Sequence, residues 1–257
     1  MSSSSHDDSP PEGLLVEDMM EQLPNYGVAN TVTGFATLFS GLLPLALTYL
    51  MHKQPARWLF VYWTIAVTGV FTVTLHGFGE TNPILGERWF WAFLDTGSNI
   101  VVSWSLALAV LGDFYAKQTQ RWAGPLVTVA MLVGVGWHFY DRMPGPPRGY
   151  LVSFGEWGGF NPGEAWLIAF SWLVLGLFIA KWRDIPSRAR PLLVLVYAIF
   201  FFGMLLATAS NEKIVYPFVP LHALWHLVGA YGFIVLWAFN HARFGTSNGE
   251  SADSWPG

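Results

Sequence analysis

The stretch PLHALWHLVGAYGFIVLWAF, residues 220–239, is twenty residues long and contains no Asp, Glu, Lys or Arg. As an α-helix it rises about 30 Å, the thickness of a bilayer's hydrocarbon core, and so reads as a membrane span. Its first two turns carry His222 and His226. Residues four apart share one helix face, so both imidazoles can reach a single point, as a metal ion requires. A pair of this kind in a soluble helix is commonly a packing arrangement. Inside a membrane segment an ionisable side chain is costly and marks function.

The rest of the chain agrees with that first stretch. Of 257 residues, 53% are hydrophobic and only 12% charged, about half the charged share of an ordinary soluble domain. With 14 Trp and 20 Phe, the composition is that of an integral membrane protein. Seven apolar segments can be read, at 28–50, 58–75, 89–111, 122–140, 165–180, 191–209 and 220–239. Three of them begin at Trp58, Trp89 and Trp122, as expected of interfacial anchors. Strands of a membrane barrel would instead alternate over segments of about 10 residues. The expected fold class is therefore all-α, a seven-transmembrane helix bundle. Residues 1–26 read as a disordered, acidic interfacial segment, 27–241 as the membrane domain and 242–257 as a flexible tail. No charged region with a short apolar stretch precedes the first span, so no cleavable signal peptide is expected. There is no internal repeat.

Basic residues set the expected orientation. Lys53, Arg57, Lys117, Arg121, Lys181, Arg183, Arg188, Arg190 and Arg243 fall on one side, nine in all. Arg88, Arg142, Arg148 and Lys213 fall on the other. The excess of Lys and Arg marks the cytoplasmic side, which puts the N-terminus outside and the C-terminus in the cytoplasm. Cysteine is absent, so histidine and carboxylate are the available metal ligands. No basic aromatic surface supports nucleic-acid binding. The seventh span has no lysine for a retinal Schiff base.

Depth and direction bring distant residues to one level. His76 closes the outward-running second span, and Thr72 precedes it by one turn on the same face. Asp95 lies about 9 Å below the outer end of the inward-running third span, with Ser98 and Asn99 placed to hydrogen-bond on its face. His222 and His226 open the inward-running seventh. A carboxylate at such depth is paired, protonated or used. Three histidines with one open position match a catalytic zinc site, and a nearby carboxylate suits proton transfer. His138, at the outer end of the fourth span, is at the right level for a spare ligand, a partner behind the ligands or a headgroup contact. His6 lies in the tail, while His52 and His241 lie at the cytoplasmic boundary. Near the N-terminus, Glu17, Asp18, Glu21 and Asn25 are either a solvated acidic face or a hard-cation site, since clustered oxygens suit calcium. The connection 141–164 is either a surface linker or a substrate-facing lid. Pro44 is expected to kink the first span.

Three runs carry a resemblance to a known family: Thr72-x-x-x-His76, Phe93-Leu94-Asp95-x-x-Ser98 and His222-Ala-Leu-Trp-His226. They look like the motifs of the alkaline ceramidases, Ser-x-x-x-His, Leu-Asp-Glu-x-Ser and His-Ala-x-Trp-His. That family belongs to the CREST superfamily of seven-transmembrane metal hydrolases, which includes the adiponectin and progestin receptors. The resemblance covers essentially the whole membrane region, and the last motif is the most specific. Thr72 stands where the family has serine, Thr96 where it has an acidic residue, and the spacing from His76 to Asp95 is longer than in eukaryotic members. The resemblance implies that His76, His222 and His226 bind zinc (Zn2+) and that Asp95 shuttles the proton; Thr72 is then expected either to hydrogen-bond the tetrahedral oxyanion or to orient Asp95. It also implies calcium (Ca2+) at a site that Glu17, Asp18, Glu21 and Asn25 match loosely.

The expected function is a zinc-dependent intramembrane amidase that takes a lipid amide from the bilayer, foremost ceramide, and releases sphingosine and a free fatty acid. Two other readings stand beside it. One is an electron-transfer protein with haem b held by histidines; the other is a CREST-like receptor without catalysis. Short loops and the lack of cysteine favour a bacterial cytoplasmic membrane over a eukaryotic organelle membrane.

Overall fold

The computed structural model describes residues 26–50, 54–78, 87–145, 150–153, 159–211 and 221–244. Among them run seven α-helices: α1 (Tyr26–Leu50), α2 (Ala56–Phe78), α3 (Arg88–Phe114), α4 (Lys117–Arg142), α5 (Pro162–Ala180), α6 (Arg190–Asn211) and α7 (Leu221–Phe244). A short 3-10 helix, Trp182–Asp184, follows α5. Between α4 and α5, β1 (Val152–Ser153) pairs antiparallel with β2 (Gly159–Phe160). Six of the helices are long and apolar enough to cross a membrane, and in α6 the apolar run Arg190–Leu206 is shorter. The chain is a multi-pass helical membrane protein. Its exposed surface fits that setting: Trp122, Leu126, Val129 and Val133 of α4 all point outward, as side chains facing lipid do.

Most helix limits follow the hydropathy, and two differ for local reasons. α5 starts at Pro162, one turn before the apolar run at 165. The Asn161 side chain accepts the Glu164 backbone N–H at 3.0 Å, and Glu164 Oε2 accepts the Asn161 N–H at 3.0 Å. This capping box satisfies donors that a helix end otherwise leaves open, so the helix can begin in polar sequence. At the other extreme, α7 continues through Phe244, beyond the expected domain limit at 241. Arg243 is therefore a helix residue and not part of a flexible tail. α1 runs unbroken through Pro44.

Glycine decides how α1 and α2 meet. A Cβ on Gly41 would lie 2.3 Å from the Ala66 backbone nitrogen, and one on Gly69 would lie 2.2 Å from that of Leu38. The two backbones touch where any side chain would keep them apart. Close approach at small residues is the usual route to helix association in lipid, where burying apolar surface gains little. The contact continues toward the His76 end of α2, with Gly34 against Thr72 and Gly77 against Thr31. Next, α1 packs on α7 and α2 on α3, while α3 carries α4 and α5 and α7 carries α6. α5 and α6 scarcely touch along their length; Phe178 of α5 reaches Tyr197 of α6 near one end, with ring centroids 6.4 Å apart.

The end of the bundle formed by the start of α2 and the ends of α3 and α7 is closed by a buried ionic cluster. The Asp113 carboxylate, with its side chain 3% exposed, accepts from Arg57 Nε and Arg243 Nη2. Trp58 Nε1 adds a third bond at 2.8 Å. Arg243 sits over the rings of Phe244 at 4.4 Å and Phe114 at 4.7 Å. Beside it, Asn240 donates to the Tyr62 hydroxyl (3.0 Å), which donates to Gln54 (2.9 Å). Two of the arginines counted as loop charges are thus structural partners of a single carboxylate.

Two outcomes follow for stability. Gly69→Leu should cost about 3 kcal/mol or more, because backbone at 2.2 Å cannot yield as a side chain does. Gly136→Leu, where nothing lies within 4 Å, should leave the protein folded; thermal unfolding in detergent followed by size-exclusion chromatography compares the two. Asp113→Ala should destabilise by about 3–5 kcal/mol, since it leaves buried Arg243 without its counter-charge. An unfolding midpoint close to wild type would show that the cluster contributes nothing.

Candidate metal centre

Two helices deliver the ligand atoms. His76 lies in the last turn of α2, and His222 and His226 lie in the first two turns of α7. Their ligand nitrogens all fall within 4.8 Å of one another, close enough to hold one metal ion. The Nε2 atoms of His76 and His222 are 3.3 Å apart. Two nitrogens bound at 2.0–2.1 Å to one tetrahedral zinc stand about 3.3 Å apart by simple trigonometry. The ring centroids form a compact triangle with sides of 4.6, 5.1 and 5.2 Å. His226 Nε2 is buried and has no hydrogen-bond partner among the described residues. An orphaned buried acceptor is costly in a membrane interior, and a metal would satisfy it.

α1 supports this triangle from behind. Thr33 Oγ1 lies 3.2 Å from His226 Nδ1. Thr33 was not singled out as a site residue in the sequence. A signal was there: Asn30, Thr33, Thr37 and Ser40 form a small polar stripe at helical spacing on an otherwise apolar helix. In the structure Asn30, Thr37 and Ser40 are buried.

Asp95 of α3 is 7% exposed and stands apart from the ligand triangle. Its Oδ1 accepts from Thr72 Oγ1, the hydroxyl one turn before His76. The structure thus joins the two residues expected to share a proton-handling role. Ser98 and Asn99 do not do what their spacing suggested. Ser98 Oγ and Asn99 Nδ2 both donate at 2.9 Å to the backbone carbonyl of Asp95, not to its carboxylate. The back-bonds at i+3 and i+4 compete for side chains that could otherwise reach across.

His138 is not a member of the metal cluster. It is fully buried beside α5, where a Cβ on Gly163 would lie 2.3 Å from its Nδ1, and it packs on Phe93 with centroids 5.8 Å apart. Its ring thus packs between the start of α5 and Phe93. The acidic positions Glu17, Asp18, Glu21 and Asn25 lie outside the described residues, as do His6, His52, Glu212 and Lys213.

A cavity of about 250 Å³ runs down from this cluster. Thr72, Asp95, Asn99 and His226 line one end, and Phe178, Leu193 and Leu236 line the other. From Asp95 to Leu106 along α3, both in the wall, the helix rises about 16 Å, or half the hydrocarbon thickness. The wall is overwhelmingly apolar. Trp172 of α5 and Phe201 of α6 both line it and are each more than half exposed, so the cavity lies along the seam between the two helices that scarcely touch.

Comparison of the chain with protein-family models, with curated proteins and with solved structures finds no match in any of the three.

Proposed function

We propose that this protein is a zinc-dependent intramembrane amidase that hydrolyses a lipid amide, with ceramide as the foremost substrate and sphingosine and a fatty acid as products. The observation that carries the reading is the convergence of His76, His222 and His226 beside a cavity whose polar end holds Asp95. The alkaline ceramidase-like motifs agree with it. So does the shape of the cavity, since a lipid chain can enter from the bilayer between α5 and α6 without passing through water. Haem fits the triangle less well. A haem b takes its axial imidazoles on opposite faces of a flat ring, whereas these nitrogens crowd together at 3.3 Å.

A zinc ion held by the three imidazoles would polarise the amide carbonyl and make water nucleophilic near neutral pH. Asp95 takes one proton from the attacking water and passes it to the amide nitrogen, so that the C–N bond breaks with a neutral amine leaving. Thr72, bonded to Asp95 Oδ1, keeps the carboxyl turned into the cavity. The apolar wall binds the acyl chain and keeps bulk water from the reacting bond. The distribution of Lys and Arg supports an outward-facing site, with the N-terminus outside and the C-terminus in the cytoplasm. We assign the protein to a bacterial cytoplasmic membrane on its short loops and lack of cysteine.

Metal analysis of the purified protein should find about one zinc per chain. His222→Ala/His226→Ala should lose it, and the wild-type protein should show no Soret band. A folded protein with no zinc, or with zinc untouched by the double substitution, would remove the hydrolase reading. Asp95→Asn should keep its zinc and lose about 10²–10⁴-fold in the rate of lipid-amide hydrolysis. Full activity in that variant would exclude Asp95 as the proton carrier.

A further inference from the structure

A metal-binding histidine must present a lone pair to the ion, and a neutral imidazole has only one ring nitrogen with a lone pair free. Which nitrogen that is depends on the partner of the other. For His226 the partner is Thr33, with Oγ1 3.2 Å from Nδ1. The same hydroxyl lies 2.8 Å from the Ala29 carbonyl oxygen and 3.2 Å from that of Asn30. Carbonyl oxygens only accept, and a threonine hydroxyl has a single proton to give. The shortest contact, the i−4 back-bond to Ala29, takes that proton. Oγ1 then offers His226 a lone pair, which matches a hydrogen on Nδ1. The Asn30 carbonyl, a further acceptor, lies against the same ring.

The geometry points to Thr33 as the positioning residue of the metal centre: it holds His226 as the Nδ1–H tautomer and aims the Nε2 lone pair at His76 and His222. Nε2 is the atom that is buried without a partner. With the hydrogen on Nε2 instead, the ring would point an N–H at the ligand position and could not bind a cation there. The backbone of α1 thereby dictates the chemistry of a residue 193 positions away in sequence. A partner behind a metal-binding histidine typically changes metal affinity 10–100-fold. The inference rests on the zinc reading, because its consequence is a metal affinity.

The test uses full-length protein in lipid nanodiscs, with Thr33→Val removing the hydroxyl at nearly constant shape and Thr33→Ser keeping it. Zinc affinity by competition with a chelator should fall about 10–100-fold in Thr33→Val and stay close to wild type in Thr33→Ser. Nitrogen-15 spectra of histidine-labelled, metal-free protein should show His226 as the Nδ1–H form in wild type and Thr33→Ser. Thr33→Val should show a mixture with the Nε2–H form, a change that a purely structural role of Thr33 would not produce. Wild-type zinc affinity in Thr33→Val, an Nε2–H form in the wild type, or an unchanged tautomer in Thr33→Val overturns the assignment while leaving the zinc reading standing. A wild-type protein that takes up no zinc overturns both.

Discussion

The half of the bundle that carries the histidine cluster depends on the backbone contact between α1 and α2. Gly41 and Gly69 let the two helices approach until main-chain atoms touch. That approach fixes their relative depth and rotation. The same crossing brings Thr31 to Gly77 and Thr72 to Gly34, and so puts Thr72 and His76 level with Thr33. α7 packs against α1, and His226 meets the hydroxyl that α1 presents. If the helices stood a side chain's width further apart, His76 would leave the triangle and Thr72 would no longer be held between α1 and α3.

Buried polar groups serve opposite purposes at the two ends. Around Asp113, two arginines and an indole N–H meet one carboxylate, and an amide, a phenol and a second amide form a chain beside it. Bonds of this kind tie three helix ends together. At the other end, His226 Nε2 has no partner and Asp95 faces a cavity. Unpaired polar atoms occur at both ends, with Gln54 Nε2, Asn240 Oδ1 and Arg243 Nη1 among them beside Asp113; what sets the histidine end apart is that its unpaired nitrogen lies beside two further imidazoles and a cavity. The cavity exists because α5 is held by α3 and α4 while α6 is held by α7, which leaves the seam between α5 and α6 sparsely packed.

Much of this was legible in the sequence, and the reason is the simplicity of the medium. A helix must be about 20 residues long to cross hydrocarbon and must keep its charges at its ends, so the spans, their alternation and the level of each polar residue can be counted. That count placed His76, Asp95, His222 and His226 together, and the one-turn spacings placed Thr72 with His76 and His222 with His226. What failed were pairings that depend on rotation about the helix axis. Ser98 and Asn99 turned to the backbone of Asp95. His138 turned to Gly163 of α5. Arg243, read as a tail charge, is buried against Asp113.

By itself, then, the sequence determined the class of the protein, the extent of its helices and the depth at which its ionisable residues lie, because these follow from hydropathy and the constant rise of a helix. Only the tertiary structure decided that Thr72 bonds Asp95, that Thr33 stands behind His226, and that the apolar slot runs between α5 and α6. Those partnerships depend on how far each helix is rotated and how closely it approaches its neighbours. Glycine contacts and capping bonds set that geometry, and hydropathy carries no record of it.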